Sequence, residues 1–341
     1  MNVWLIGCGG IGNAHANAYK LMEDVNIVHA VDIDGQKATK LAGEHSASAS
    51  VDLEQSLAEM ANNRLPKPDY IDVCVPSYLH KNVVTRILRE NIPVLCEKPM
   101  ANTLEDAIEM RDMAKKTGVP LMIAQIIRFW PEYNFFKDAY DDGRYGRLLA
   151  VHFSRICSAP QWDNGWYTNP EQSGMAPFEL HVHDCDFIHY MFGIPDALES
   201  YGYEDDDRFN SILKTRYYYN DKPIFVEAEA DWYKAPIPFT ASFRAVFDDA
   251  VMIFANNQLT VYTAAHETFV PELKTVSVGT SINLKTAGGM YYEIRYFADC
   301  IKNNVMPTIV TPDDSVRTIK LLMTELKSAQ NGTKIEIGKD W

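Results

Sequence analysis

The sequence predicts a two-domain α/β protein: a doubly wound, mostly parallel sheet over residues 1–123, then an α/β domain with an open, mostly antiparallel sheet over 124–341. Three observations predict it. Through the first third, short apolar runs alternate with helix-like segments, the rhythm of βαβ units. Beyond Gly146 strand-like runs follow one another with few helices between, which favours antiparallel pairing with one face open. A chain of 341 residues also exceeds one ordinary hydrophobic core.

Asn2–Ile6 reads as a buried strand running into a glycine turn and a small-residue helix to Met22. Ile27–Val31 is the second strand, and helices follow at Asp34–Glu44 and Leu53–Ala61. Asp69–Val75 is a strand, Lys81–Glu90 a helix, and Val94–Cys96 a short buried strand. Thr103 caps a helix through Lys116, with Asp106 placed as in a capping box, and Val119–Ala124 is the next strand. Pro131 opens a helix to about Asp142. Strands are expected at Leu148–Ser154, Ile212–Tyr219, Ile224–Trp232, Ala241–Phe247 and Val251–Phe254, from their β-branched and aromatic content. Phe225, Glu227, Glu229 and Asp231 fit simple alternation poorly, and Tyr217, Tyr219 and Trp232 are expected on the open face. Helices near Met290–Asn303 and Asp313–Gln330 close the chain.

Composition excludes several function classes. The formal charge is −14 with no basic block, against nucleic acid or an anionic membrane as partner. No apolar run is long enough to span a bilayer, and no charged-then-apolar leader precedes the first strand. The six cysteines are scattered without a Cys-x-x-Cys, as expected of reduced residues in a cytoplasmic protein.

Chemistry concentrates in three places. Gly7-Cys8-Gly9-Gly10-Ile11-Gly12 lies between strand and helix, the setting of a dinucleotide-binding turn. Gly7 permits the tight turn, Gly9 lets a pyrophosphate approach the backbone, and Gly12 lets the helix lie close on its strand. The helix N-terminus offers N–H groups to the phosphates. Asp32 ends the second strand, where an acid binds the ribose diol and repels a 2′-phosphate, favouring NAD over NADP. A glycine corner and a strand-end cap are the bland alternatives. Second, Glu97-Lys98-Pro99 ends a strand, where a parallel sheet presents side chains to its ligand crevice.

Third, Pro177 to Gly193 reads as one helix, placing Glu179 and His183 a turn apart on one face with Asp186 beyond. Three readings stand: hydrogen-bonded core histidines, a metal site from Glu179, His181 and His183, or a general base held by a carboxylate. His181 and His183 diverge on a helix, which disfavours the metal, and no metal is expected.

With these residues the chain resembles the Gfo/Idh/MocA family, the glucose–fructose oxidoreductase and inositol dehydrogenase group. The resemblance rests on the glycine turn, on Val75-Pro76-Ser77 with His80, on Val94 to Pro99, on Arg128-Phe129 with Pro131, and on the helix with His183, Asp184 and Asp186. It implies an N-terminal Rossmann domain and a C-terminal α/β domain whose open sheet makes dimer contacts, hence a homodimer or homotetramer. It also implies hydride transfer between NAD(P) and a sugar, inositol or related polyol. Lys98 then stabilises the developing alkoxide, His183 is the base, and Glu179 stands where the family has aspartate. Gly7, Gly9, Gly10, Ile11, Gly12 and Asp32 hold the dinucleotide, and Pro76, Ser77, His80 and Glu97 line the nicotinamide side. Arg128, Trp162 and Trp166 are candidates for the substrate wall. The rival is a non-catalytic dinucleotide-binding sensor or regulatory subunit, which needs neither Lys98 nor His183.

Overall fold

The structure, a computed structural model, describes residues 1–160, 165–207, 210–279, 288–338 and 341. They separate into two compact units: Met1–Ile126 with Val276–Val316, and Ile127–Thr275 with Arg317–Trp341.

In the first unit, β1 (Asn2–Ile6), β2 (Asn26–Val31), β3 (Ser48–Ser50), β4 (Tyr70–Val73), β5 (Val94–Glu97) and β6 (Leu121–Ala124) form one sheet of order β3-β2-β1-β4-β5-β6. Every pairing in it is parallel. Its central strands are mostly apolar because they are buried on both faces, as Val3, Leu5, Ile71, Val73, Leu95 and Ile123 show; Asp72 of β4 is a buried exception. The helices α1 (Gly10–Tyr19), α2 (Gly35–His45), α3 (Leu53–Ala61), α4 (His80–Leu88) and α5 (Leu104–Thr117) intervene. Asp34, Asp52 and Thr103 cap α2, α3 and α5 by accepting from main-chain N–H groups, and Gly118 ends α5 in the left-handed region. The strand order reverses between β1 and β4, so the turns after β1, β4 and β5 share the carboxyl edge where such sheets hold ligands.

A single boundary at 123/124 does not include the return of Val276–Val316 to this unit. Its helix α9 (Gly288–Lys302) lies against α1. Phe297 stands edge-on to Tyr70 at 5.2 Å, and Arg295 pairs with Asp24 at 2.6 Å.

The second unit contains α6 (Pro131–Asp142), β7 (Leu148–Ser158), α7 (Pro170–Ser173), α8 (Val182–Phe192), β8 (Ala197–Glu204), β9 (Ser211–Tyr218), β10 (Phe225–Tyr233), β11 (Thr240–Phe247), β12 (Ala250–Ala255), β13 (Gln258–Thr263), β14 (Thr268–Phe269) and β15 (Ile335–Glu336). Helix α10 (Pro312–Asn331) begins in the first unit and ends here. The sheet runs β14-β13-β12-β11-β7-β10-β9-β8-β15, antiparallel except for β7 with β10. One face is an aromatic core: Tyr133 of α6 packs against Phe153, Phe243 and Phe254 of the sheet and Phe187 of α8.

Tyr217, Tyr219 and Trp232 are all buried, which corrects their expected place on the open face. The pleat decides this. In β10, Val226, Ala228 and Ala230 point inward while Phe225, Glu227 and Glu229 point out, so the alternation is regular up to Ala230; Asp231 beyond it is buried as well. The open face carries His152, Ser154, Lys214, Arg216, Glu227, Glu229 and Arg244, joined by pairs such as Lys214 with Glu229 at 2.7 Å. Strands β3, β8, β13, β14 and β15 escape the sequence reading. Strand β8, Ala-Leu-Glu-Ser-Tyr-Gly-Tyr-Glu, is ordered by its ladder with β9 more than by its own propensity.

Candidate active site

The glycine turn after β1 has three differently constrained glycines. Gly7 has φ +92° and passes the end of β4, where a Cβ would meet the Cys74 carbonyl oxygen at 2.5 Å. At Gly12 a Cβ would stand 1.9 Å from the Gly7 carbonyl oxygen, so only glycine lets α1 lie this close. A Cβ added at Gly9 would meet nothing within 4 Å, which leaves the backbone open to an incoming group. No side chain caps α1. The turn is pinned from outside: Asn13 Nδ2 donates to the Cys8 and Gly9 carbonyls at 2.8 Å each. Cys8 N donates to Asp32 Oδ2 at 2.6 Å, and Asp34 N to Asp32 Oδ1 at 2.8 Å. A carboxylate accepts about four hydrogen bonds, so Asp32 can shape the turn and still accept a diol. Gly10 is exposed and Ile11 half-buried, while Ile33, beside Asp32, is 94% exposed. These features fit a dinucleotide.

After β4, Pro76 leads into a short 3-10 turn, Ser77–Leu79, with Ser77 buried. His80 is buried too. Its Nδ1 lies 2.8 Å from the Pro99 carbonyl and its Nε2 2.9 Å from the Val75 carbonyl. His80 therefore ties this turn to the one after β5: burial lowers its pKa and favours the neutral ring, which donates one N–H to a carbonyl while its other nitrogen lies beside the second. Glu97 is likewise engaged: Oε1 bonds His15 Nε2 at 2.9 Å and Oε2 accepts from Lys98 N at 3.0 Å. Burial pushes its carboxyl up, but the His15 bond and charge and the Lys98 charge outweigh that and hold it below the ordinary value. Lys98 is half-buried at the end of β5.

In the second unit, Pro177–His181 is a π-turn, and α8 begins only at Val182. This corrects the single α-helix expected over Pro177 to Gly193. A π-turn bonds residue i to i+5, so Glu179 and His183 are not one α-helical turn apart; such turns recur at functional sites. Glu179 is buried and His183 half-buried. His181 is fully buried, with Nε2 2.7 Å from Glu325 and 3.2 Å from the Tyr217 hydroxyl. Burial disfavours its charged form, yet Glu325 prevails and raises its pKa. His181 is thus a core residue, and its imidazole is spoken for by a carboxylate.

The aspartates around His183 are also structural. Asp184 pairs with Arg155 at 3.0 Å and Asp186 with Arg128 at 2.7 Å, all four buried. Arg128, expected on the substrate wall, instead lies in the core with its guanidinium 4.4 Å from the Tyr190 ring centroid. A bidentate carboxylate partner explains why an arginine can be buried there. Trp166 stands half-buried in a loop, its ring 3.9 Å from that of Tyr167, and Trp162 lies outside the described residues. Asn13 and His15 are site residues that sequence reasoning missed. The available signal was polarity on an otherwise small-residue helix.

Comparison with known proteins agrees with these two units. Residues 1–125 match the GFO/IDH/MocA model described as an oxidoreductase family with an NAD-binding Rossmann fold. Residues 133–216 match the GFO/IDH/MocA C-terminal domain. Glucose-6-phosphate 3-dehydrogenase of Bacillus subtilis is 26% identical over 235 residues, 68% of this chain and 63% of that protein. Inositol 2-dehydrogenase of Rhizobium meliloti is 28% identical over 191 residues, 55% of this chain and 54% of that protein. The matches thus span less than two thirds of these curated relatives. An oxidoreductase from Agrobacterium radiobacter, solved with NAD+, L-tartaric acid and magnesium, has the same fold: TM-score 0.83 at 17% identity, over 100% of this chain and 99% of that one.

Proposed function

The chain belongs to the GFO/IDH/MocA oxidoreductase family, and from that premise we propose that it is an NAD-dependent dehydrogenase or reductase acting on a secondary alcohol of a sugar, inositol or related polyol. The observation that carries this reading is the turn after β1, with Gly9 open, α1 uncapped and Asp32 pinned beside it. When bound, NAD accepts or returns a hydride. His183 takes the hydroxyl proton, worth roughly 10²–10⁴-fold in rate. Lys98 is read as the cation that stabilises negative charge developing on the substrate oxygen. Glu179 is read as orienting His183 or binding a neighbouring hydroxyl of the substrate. The test is a panel of sugars, inositols and polyols with NAD, read as absorbance of the reduced nicotinamide. No turnover on any of them favours a dinucleotide-binding sensor.

NAD is expected to bind more tightly than NADP. Asp32 offers a carboxylate where a 2′-phosphate would sit, and its neighbour Ile33 offers no countercharge. Titration of both by quenching of protein fluorescence checks this. Asp32→Ala should narrow the gap mainly by weakening NAD, and equal affinities in the parent protein would move the acid off the ribose.

Assembly is proposed to be a homodimer or homotetramer through the open face of the nine-stranded sheet. What supports it is a broad face whose rim exposes Tyr201, Tyr203, Phe225, Ile253 and Tyr262. Light scattering at micromolar concentration should give a multiple of 38.7 kDa, and a monomeric mass counts against it. The place of action is proposed to be the cytoplasm, since all six cysteines are unlinked thiols. Among the described residues, no helix is long and apolar enough to cross a membrane.

A further inference from the structure

Beneath the turn that carries Lys98 lies a buried polar chain that the proposed reaction does not use. His15 of α1 is fully buried. Its Nδ1 lies 2.8 Å from Asp72 Oδ2 of β4, and its Nε2 lies 2.9 Å from Glu97 Oε1 of β5. Asp72 also accepts from the Tyr19 hydroxyl at 2.9 Å, which in turn accepts from the Tyr70 hydroxyl at 3.1 Å. The Cys74 thiol donates to Asp72 Oδ1 at 3.6 Å. Glu97 Oε2 then takes the main-chain N–H of Lys98. The chain runs unbroken from Tyr70 to the lysine.

We propose that His15 is a positioning residue: an imidazolium clamped between Asp72 and Glu97 that keeps Glu97 a fixed carboxylate under the Lys98 turn. Two carboxylates face the two ring nitrogens, and a neutral imidazole has only one N–H to give. With both acids ionised, as the lowered pKa of Glu97 favours, both contacts become hydrogen bonds only when both nitrogens are protonated. Charge points the same way as this geometry. Burial opposes the charged ring, but Asp72 outweighs it and raises its pKa well above the ordinary histidine value. The other ionisable groups around the ring are Tyr19, Tyr70 and Cys96, with Arg295 of α9 acting on Tyr70. A buried cation between two anions is a stable arrangement, whereas either anion alone there is not.

A metal is the competing occupant, since His15, Asp72 and Cys74 each place a ligand atom within 4.8 Å of the others. The donors do not suit it. Burial, with Asp72 beside it, drives the Cys74 thiol far from the thiolate form a metal needs. The second nitrogen of His15 is committed to Glu97 rather than facing solvent.

The consequence is at Lys98. With His15 charged, Glu97 stays ionised and holds the backbone from which the lysine side chain departs. Without it, only the Lys98 charge and N–H oppose burial at Glu97, its pKa rises, and the protonated acid loses one of its two acceptor contacts.

Two measurements test this, and only the second rests on the dehydrogenase reading. In the first, the protein is labelled at histidine Cε1 for NMR, and the His15 signal is assigned by its absence in His15→Gln. It should show an imidazolium shift from about pH 6 to 9, where ordinary histidines titrate. In Glu97→Gln and in Asp72→Asn, checked for folding by circular dichroism, the same signal should begin to titrate within that range. A neutral ring in the parent protein, or added zinc chloride that shifts the signal and raises the melting temperature, overturns the clamp.

In the second, His15→Gln is assayed on the substrate found by the panel. A misplaced lysine should lower kcat roughly 10–100-fold. The acid limb of the kcat profile should move to higher pH, because Glu97 now protonates earlier. NAD affinity should stay within about twofold, since the glycine turn is untouched. A lowered kcat with an unmoved acid limb reduces His15 to a packing residue and overturns the proposal. If the panel yields no substrate, the dehydrogenase reading falls and the NMR result alone decides, a persistent imidazolium supporting the clamp and a titrating ring refuting it.

Discussion

Lys98→Ala and His183→Ala should each lower turnover by roughly 10²-fold or more on the substrate the panel identifies. Lys98 ends β5 on a turn fixed by Glu97 and by His80, so its backbone is held while its side chain is only half-buried. His183 is half-buried, as is Tyr190, on a helix whose acids Asp184 and Asp186 are locked to Arg155 and Arg128. The Lys98 and His183 side chains are both half-buried, so each is partly open to solvent. If both serve one hydroxyl they act as a unit, and losses within a unit do not add. The double variant should be little worse than the worse single one. His183→Ala should also lose the rise of turnover with pH that a titrating base produces. NAD affinity should change little in either, because neither residue belongs to the glycine turn. Near-normal turnover in one of the single variants would make that residue structural and would remove the family mechanism from this chain.

Arg128→Ala should destabilise the protein by roughly 3–5 kcal/mol, the usual cost of removing one partner from a buried ion pair. Arg128 Nε and Nη2 donate to Asp186 at 2.7 and 2.8 Å, and Thr318 donates to the same carboxylate at 2.8 Å. Both ionic side chains are 1% exposed. Truncating the arginine strands a carboxylate in the core. Arg128→Met with Asp186→Leu should recover most of the loss, since neither charge is then buried alone. Urea midpoints measure both.

The pH dependence has a definite sign. Burial pushes the Asp186 carboxyl up, but Arg128 and His189 prevail and hold it well below the usual range. A folded pKa below the unfolded value of about 3.9 gives stability that is complete above that value. It is lost as pH falls from there through the folded pKa. Arg128→Ala should flatten that acid limb. If the variant kept its urea midpoint and raised only KM, Arg128 would be a substrate residue after all.

The sequence by itself determined what local rules can determine. The glycine turn was legible because its spacing is local: at Gly7 and Gly12 a Cβ would strike backbone, while at Gly9 the space is open. The parallel sheet was legible because buried strands are continuously apolar, and α6 because Pro131 opens it and Gly143 closes it. Lys98 was legible as a cation stranded at the end of an apolar strand. What only the tertiary structure decided were the partners. Arg128, His80 and His181 have the polar chemistry of site residues, and nothing local says that Asp186, two main-chain carbonyls and Glu325 await them. The face taken by Tyr217 and Trp232 depended on register, since a shift of one residue exchanges the two sides of a strand. Pro177–His181 became a π-turn although the sequence pattern fits an α-helix, and α9 joined the first unit from the far end of the chain. His15 illustrates the same limit: its two carboxylates come from 57 and 82 residues away. Periodicity reports which side of an element is buried, whereas long-range pairing of polar groups is a property of the packed core, where each buried donor must find its acceptor.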